Sequence, residues 1–97
     1  MCGITGIYSY NDSQKYWPRH DLESMLNRLA HRGPDDKGLY VEPGLFFGHT
    51  RLAVIDLTLA GHQPMLTLDK RFIISYNGEI YNFKEIRKEL EAKEYRF

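Results

Sequence analysis

The apolar positions of the chain fall into short runs that predict β-strands and into two stretches with helical spacing. Residues 4–8 indicate a first strand close to the N-terminus. Residues 21–30 predict an amphipathic helix, because their apolar side chains recur on one face: Leu22, Met25, Leu26, Leu29 and Ala30. The dipeptide Gly33-Pro34 should end this helix, with the glycine as a left-handed cap.

Turn residues between apolar segments predict two β-hairpins in the middle of the chain. Residues 39–41 and 45–47 flank a proline-glycine turn, and residues 65–68 and 72–76 flank a charged turn. The segment 72–76 is rich in β-branched and aromatic residues, which indicates a central strand. Between the hairpins, residues 56–64 predict an irregular connection that packs its leucines inward.

The second helical stretch is predicted to begin at Asn82. Its side chain should cap the backbone N–H of Glu85 while Glu85 reaches back, which forms a capping box. The apolar face of this helix is formed by Phe83, Ile86 and Leu90, and two ion pairs one turn apart are expected on its exposed side: Arg87 with Glu91, and Glu89 with Lys93. Residues 95–97 resemble the start of a further strand, so we expect a truncated domain.

Composition restricts the class of protein. The 97 residues are enough for one domain at most, with 42% hydrophobic and 27% charged residues. Thirteen basic and thirteen acidic side chains give a formal net charge of zero, which gives no support to a nucleic-acid or membrane-surface partner. One cysteine cannot form an internal disulfide, and the N-terminus lacks the pattern of a signal peptide, so we expect a cytoplasmic protein.

The one cysteine, Cys2, suggests a nucleophile. Removal of Met1 would place a thiol and a free α-amine on the same residue. In proteins α-amines titrate at about pH 8 and thiols at about pH 8.5, so the amine can take the proton of the thiol directly or through water. Gly3 and Gly6 would let a substrate approach the backbone closely. Taken alone, however, these residues are better explained as an ordinary start of the chain with a chance cysteine.

Further loop residues complement this thiol. Arg51 offers a planar fork for a carboxylate, and Asn77 with Gly78 offers the two donor types of an oxyanion hole. Glu79 could hold an ammonium group. Together these groups fit an α-amino acid whose side-chain carbonyl is attacked, as in glutamine. Each has an ordinary explanation when taken singly, because Asn-Gly is a common hairpin turn and charged loop residues are usually solvated.

The histidines give no separate site. The spacing of His20, His31, His49 and His62 matches no metal-binding pattern, and nothing in the sequence selects one of them for a cysteine-histidine protease pair. No metal site is therefore predicted, and structural or loop roles are expected for all four. No phosphate-binding glycine loop is present either.

Five motifs give the chain a family resemblance. In order, it is similar to the N-terminal glutaminase domain of glutamine-hydrolysing asparagine synthetases, which are class II glutamine amidotransferases. The match covers essentially the whole chain. The first motif is common to the class, whereas Gly33-Pro34-Asp35 and the segment Gly61-His62-Gln63-Pro64-Met65 resemble the asparagine synthetase branch. The motifs are Cys2-Gly3-Ile4-Thr5-Gly6-Ile7, His31-Arg32-Gly33-Pro34-Asp35, Gly48-His49-Thr50-Arg51-Leu52, Gly61-His62-Gln63-Pro64-Met65 and Tyr76-Asn77-Gly78-Glu79-Ile80-Tyr81-Asn82.

The resemblance implies an α+β fold, the αββα sandwich of N-terminal-nucleophile hydrolases, with only its N-terminal half present. It implies that Cys2 is the catalytic nucleophile and that Asn77 and Gly78 form the oxyanion hole. It also implies a set of glutamine-binding residues: Arg51 at the α-carboxylate, Glu79 at the α-amine, Asn77 and Gly78 at the carboxamide, and the backbone of Leu52, Ala53, Val54 and Ile55.

The implied activity is glutamine hydrolysis to glutamate and ammonia, which supplies ammonia for the conversion of aspartate to asparagine. Residues 1–97 would be part of a glutamine amidotransferase type 2 domain that needs no cofactor of its own. The implied partners are L-glutamine and a C-terminal synthetase domain, absent here, that uses ATP and magnesium; a homodimer is left open, and no nucleic acid or membrane is expected. The alternatives are another class II amidotransferase, or an inactive truncated fragment that serves as a folded or interaction module.

Overall fold

A three-stranded antiparallel sheet organises the structure. The computed structural model describes residues 1–54 and 56–96, and within them the strand order of this sheet is β1-β3-β2. The strands are β1 (Gly3–Tyr8), β2 (Asp36–Glu42) and β3 (Leu45–Arg51). The central strand β3 is the most buried of the three, as expected for a strand with a neighbour on each side. The α+β class predicted from the sequence is confirmed.

The first predicted hairpin is confirmed and is longer than expected. Strands β2 and β3 pair from Glu42 opposite Leu45 to Asp36 opposite Arg51. The turn has proline first and Gly44 second, and Gly44 has a φ of 79°, which only glycine adopts without strain. These local signals explain why the sequence predicted the hairpin.

Strand β1 pairs with β3 in a register that sets the position of the N-terminus. Gly3 lies opposite Thr50, and Tyr8 lies opposite Leu45. The Gly3 N–H donates to Thr50 Oγ1 at 3.2 Å, and this hydroxyl donates to the carbonyl of Leu29 at 2.9 Å. The start of the chain is therefore held in the sheet, and Cys2 lies at the end of β3.

The helix α1 (Arg19–Asn27) packs on the sheet and closes a small core. Leu22 and Leu26 of this helix and Phe46 of β3 are the buried apolar side chains. The helix predicted over residues 21–30 is present, but it ends at Asn27 and a 3-10 helix follows at Ala30–Arg32, so the prediction that Gly33-Pro34 ends it is wrong. Gly33 has a φ of −149°, so it is not a left-handed cap.

A second, smaller sheet is formed by β4 (Met65–Leu66) and β5 (Ile73–Ile74), which are antiparallel. The second hairpin is thus confirmed, but the prediction of a central strand over residues 72–76 is wrong. In the described residues β5 has two residues and pairs with β4 alone. The ladder does not continue because the backbone of Tyr76 is bound by two side chains instead of by a strand.

The connection between the two sheets is irregular, as predicted, with one 3-10 turn at Leu59–Gly61. The prediction that its leucines pack inward is wrong, because Leu57 and Leu59 are 74% and 82% exposed. The Asp56 carboxylate accepts from the N–H and the hydroxyl of Thr58, at 2.8 and 2.6 Å. Such local polar contacts, rather than apolar packing, set the path of this segment.

The helix α2 (Phe83–Ala92) begins where the sequence indicated, and both predicted ion pairs are present. The predicted capping box is wrong, because in the described part of the chain the Asn82 side chain makes no hydrogen bond to a backbone N–H of the helix. Its φ and ψ of −98° and 31° are not the extended values of an N-cap. Tyr95 and Arg96 are not in a strand, and Phe97 lies outside the described residues.

No helix in the described part of the chain is long and apolar enough to cross a bilayer.

Candidate active site

A cleft of about 470 Å³ opens beside the N-terminus and brings together parts of the chain that are far apart in sequence. Every described residue predicted for the site lines it: Cys2, Arg51, Leu52, Ala53, Val54, Asn77, Gly78 and Glu79. The prediction for Ile55 falls outside the described residues. The chemistry of each group depends on how the surrounding structure holds it.

The thiol of Cys2 is held against the end of β3. The backbone N–H of Leu52 donates to Cys2 Sγ at 3.3 Å, while the thiol faces the Leu52 carbonyl at 3.8 Å. On the other side, Arg32 Nε donates to the carbonyl of Cys2 at 3.2 Å. The Leu52 N–H thus fixes the position of the sulfur, the atom through which a cysteine acts as a nucleophile. Met1 is 69% exposed and also lines the cleft.

Arg51 is a buried cation, with 8% of its surface exposed. One terminal nitrogen donates to the carbonyl of Thr58 at 2.6 Å, and the other donates to the carbonyl of Asp56. A guanidinium carries five N–H groups, so three remain after these two bonds. The carbonyl contacts compensate for the burial of the charge and fix the plane of the fork, which lies at the wall of the cleft.

The loop that holds Arg51 is itself closed by polar contacts. Hydrogen bonds from the Thr58 hydroxyl and N–H hold the pKa of Asp56 below its usual value, so this carboxylate keeps its charge. Gly61 ends the loop directly against the Arg51 guanidinium, where a Cβ atom would overlap the guanidinium nitrogens. The glycine is therefore required for the observed position of Arg51.

The segment 52–54 lines the cleft, and two of its backbone N–H groups already have partners. The Ala53 N–H donates to Asp35 Oδ2 at 2.8 Å, and the Asp35 N–H donates to the carbonyl of Arg51 at 3.0 Å. Asp35 thus holds the chain as it leaves β3. Of the N–H groups in this segment, that of Leu52 is directed at Cys2 and that of Ala53 at Asp35.

Asn77, Gly78 and Glu79 form the opposite wall of the cleft. Among the described residues none makes a hydrogen bond to the Asn77 side-chain amide, which leaves its N–H groups available to a ligand. The ring of Tyr76 covers Gly78 so closely that a Cβ atom there would meet its hydroxyl at 2.6 Å. The same hydroxyl donates to the carbonyl of Glu79 at 3.4 Å, while the Glu79 side chain is exposed.

The backbone immediately before this wall is held from two sides. His49 Nε2 lies 3.1 Å from the carbonyl of Tyr76, and Gln63 Oε1 accepts from the Tyr76 N–H at 2.6 Å. His49 is fully buried, and burial lowers its pKa below the usual value despite the opposing effect of this hydrogen bond. His49 is therefore neutral at neutral pH, and because a carbonyl only accepts, Nε2 carries the proton.

The other histidine with a defined partner is structural. His62 Nδ1 lies 2.5 Å from Asp36 Oδ2, and this contact joins the loop of the fourth motif, which begins at Gly61, to β2. No group of three histidine, cysteine or acidic side chains among the described residues could hold a metal ion. Among the described residues no histidine is hydrogen-bonded to the thiol of Cys2, which contacts the backbone of Leu52 instead.

Sequence reasoning missed several residues that build the cleft. Arg32, Asp35, His49, Thr50 and Gln63 all bind backbone groups of distant segments. Every one lies inside a motif that carried the family resemblance, and this was the available signal. Their partners are too far away in sequence for local patterns to reveal them.

Comparison with known proteins gives one family. The glutamine amidotransferase domain matches residues 1–97. The chain is 41% identical over 99 residues to asparagine synthetase (glutamine-hydrolyzing) 3 of Bacillus subtilis and 42% identical over 96 residues to asparagine synthetase (glutamine-hydrolyzing) 1 of Arabidopsis thaliana. These alignments cover 100% and 99% of this chain, and 16% of each relative. The chain therefore spans a small part of the length of the curated relatives it matches.

Burial of neutral His49 predicts a pH dependence of stability. In the unfolded chain histidine gains a proton below about pH 6.5. Folded His49 gains its proton only at a lower pH, because burial lowers its pKa. Arg51 and His62 also lower this pKa, whereas Asp36 raises it. Below this pH the unfolded state therefore binds more protons than the folded state. The free energy of unfolding should fall as the pH is lowered, by at most about 1.4 kcal/mol per pH unit from this residue.

Urea titrations of the protein at its natural length, at pH 7.5 and 5.5, would measure this loss. The His49→Gln variant should lose less stability between the two pH values, because its side chain cannot titrate. Equal losses in the two proteins would show that His49 does not resist protonation in the folded state.

Proposed function

Because the chain belongs to the glutamine amidotransferase domain family, we propose that its cleft hydrolyses the side-chain amide of L-glutamine to glutamate and ammonia. The observation that carries the proposal is the common cleft of Cys2, Arg51 and the Asn77–Glu79 segment. A nucleophile, donors for an oxyanion, a cation for a carboxylate and an anion for an amine match the functional groups of glutamine one by one.

The nucleophile of this proposal is Cys2 after loss of Met1. While Met1 is attached, the nitrogen of Cys2 is an amide and cannot accept a proton. Once Met1 is removed, the free α-amine takes the proton of the thiol, and the Leu52 N–H stabilises the thiolate at 3.3 Å. The contact from Arg32 to the Cys2 carbonyl holds the residue in place when the N-terminus becomes charged.

Glutamine is oriented by groups on both walls. The carbonyls of Asp56 and Thr58 leave some N–H groups of Arg51 unused, and these groups bind the α-carboxylate. Glu79 faces the α-amine, and the backbone of residues 52–54 supports the substrate between them. This arrangement directs the carboxamide toward Cys2 and toward Asn77.

The reaction is acyl transfer through a thioester. The sulfur of Cys2 forms a bond to the carboxamide carbon, and the carbonyl oxygen becomes an oxyanion that the Asn77 amide and the Gly78 N–H stabilise. The oxyanion then collapses, the carbon-nitrogen bond breaks, and the protonated α-amine gives its proton to the departing ammonia. Water, deprotonated by the α-amine, cleaves the γ-glutamyl thioester to glutamate and restores the thiol.

The wider role rests on the relatives. Since they are named glutamine-hydrolyzing asparagine synthetases and the chain spans 16% of their length, we propose that residues 1–97 are part of a type 2 amidotransferase domain. Its ammonia would serve asparagine synthesis from aspartate in a synthetase domain outside these residues, where ATP and magnesium act. The two antiparallel sheets and two helices are consistent with the N-terminal-nucleophile sandwich, which we propose as the fold of the whole domain.

The proposal predicts covalent labelling of Cys2 in the protein at its natural length. Mass spectrometry of the N-terminal peptide should find Met1 removed, and a diazoketone analogue of glutamine should add one label, on Cys2. Excess L-glutamine should protect the thiol, and the Cys2→Ala variant should neither be labelled nor release ammonia from glutamine. Glutamine hydrolysis by protein that retains Met1 would contradict the proposed base.

The position of Arg51 gives a second prediction. In the Gly61→Ala variant the new methyl group overlaps the Arg51 guanidinium, so the fork must move away from its carbonyl partners. Uniform substrate binding should weaken, and we expect KM for glutamine to rise by about tenfold while kcat changes little. Steady-state ammonia release measures both constants.

The matched control is Ala60→Ser, which changes a neighbouring exposed residue of the same 3-10 turn and leaves Arg51 unobstructed. Its KM should equal that of the unchanged protein. An unchanged KM in Gly61→Ala would mean that Arg51 does not bind the substrate.

A further inference from the structure

The backbone of Tyr76, directly before the Asn77-Gly78 dipeptide, is bound by side chains at both its N–H and its carbonyl. Its N–H donates to Gln63 Oε1 at 2.6 Å, and its carbonyl accepts from His49 Nε2 at 3.1 Å. These two side chains come from separate parts of the chain, the C-terminal half of β3 and the loop before β4. Neither contact is needed for pairing of β4 with β5, which ends at Ile74.

His49 is suited to hold a carbonyl in a fixed place. It is 0% exposed, it belongs to the central strand of the larger sheet, and among the described residues its Nδ1 has no partner. The ring therefore has one hydrogen bond, and that bond is directed at Tyr76. His49 does not line the cleft, so it acts on the cleft through the backbone.

Gln63 is fixed from the other side. Its own carbonyl packs on Gly38 of β2, where a Cβ atom would overlap it. The adjacent His62 contacts Asp36 at 2.5 Å, which also joins this loop to β2. The Gln63 side chain therefore extends from a backbone that rests on the larger sheet.

We propose that His49 and Gln63 are positioning residues that clamp the backbone of Tyr76 and thereby aim the Asn77 amide and the Gly78 N–H at the oxyanion. The proposal rests on the proposed glutamine hydrolysis, because only an oxyanion in the cleft gives this aim a consequence. The clamp couples the smaller sheet to the larger one, which carries Cys2 at its edge.

The need for such a clamp follows from the shortness of the hairpin. Strand β5 has two residues, so no ladder extends to Asn77. An exposed segment without ladder contacts would move, and displacement of an oxyanion donor by about 1 Å can cost on the order of a hundredfold in rate. His49 of the larger sheet and Gln63 of the loop that packs on this sheet replace the missing ladder at Tyr76.

The test uses His49→Leu and His49→Gln in the protein at its natural length. Leucine removes the donor to Tyr76, whereas the glutamine amide nitrogen can reach the position of Nε2. We expect kcat for glutamine hydrolysis to fall at least about tenfold in His49→Leu, with KM within about twofold, because the loss falls on the transition state. His49→Gln should recover most of kcat.

Alkylation of Cys2 by iodoacetamide separates positioning from general structure, because displacement of iodide forms no oxyanion. We expect its rate in His49→Leu to stay within about twofold of that in the unchanged protein. The proposal is overturned if kcat is unchanged in folded His49→Leu, if His49→Gln folds but stays as slow, or if kcat and alkylation fall together.

Gln63→Met decides the matter if His49→Leu does not fold. This variant removes the acceptor at Tyr76 and should lower kcat several-fold; an unchanged kcat would contradict the clamp. The matched control is Thr67→Val, which removes the hydrogen bonds of the Thr67 hydroxyl with Asp69 and Phe72 in the same hairpin and should leave kcat unchanged. An unchanged protein that releases no ammonia from glutamine would instead refute the proposed function, and the clamp with it.

Discussion

The antiparallel register between β1 and β3 is the constraint on which the rest of the structure depends. Because Gly3 lies opposite Thr50, Cys2 reaches the point where Arg51 and Leu52 leave the sheet. A shift by one residue would turn every side chain of β1 to the other face of the sheet. It would also separate the Cys2 sulfur from the Leu52 N–H and break the bond of Gly3 to Thr50 Oγ1.

Three consecutive polar residues at the end of β3 turn this register into a cleft. His49 binds the carbonyl of Tyr76, Thr50 binds the carbonyl of Leu29, and Arg51 binds the carbonyls of the 56–58 loop. All three side chains are buried, so the cost of removing them from water is offset by these bonds. One strand thus holds three separate segments around the start of β1. Buried polar contacts, rather than a large apolar core, fix the positions of these segments.

The sequence predicted the parts of this structure that depend on neighbouring residues or on functional chemistry. The proline-glycine turn before Leu45, the first strand and the ion pairs of α2 follow from local rules, and the groups of the cleft follow from the needs of glutamine and the family resemblance. Local rules failed where a distant partner intervened. Tyr76 leaves the ladder because His49 and Gln63 bind it, and Leu57 and Leu59 point outward because Asp56 and Thr58 fold the loop on itself.

The most direct test of the account is a crystal structure of the protein at its natural length, with Met1 removed and Cys2→Ala, in complex with L-glutamine. We predict glutamine in the cleft, with its carboxamide oxygen about 3 Å from both Asn77 Nδ2 and the Gly78 nitrogen, and with its α-carboxylate on Arg51. Glutamine bound elsewhere, or bound in the cleft with its carboxamide turned away from Asn77 and Gly78, would contradict the account.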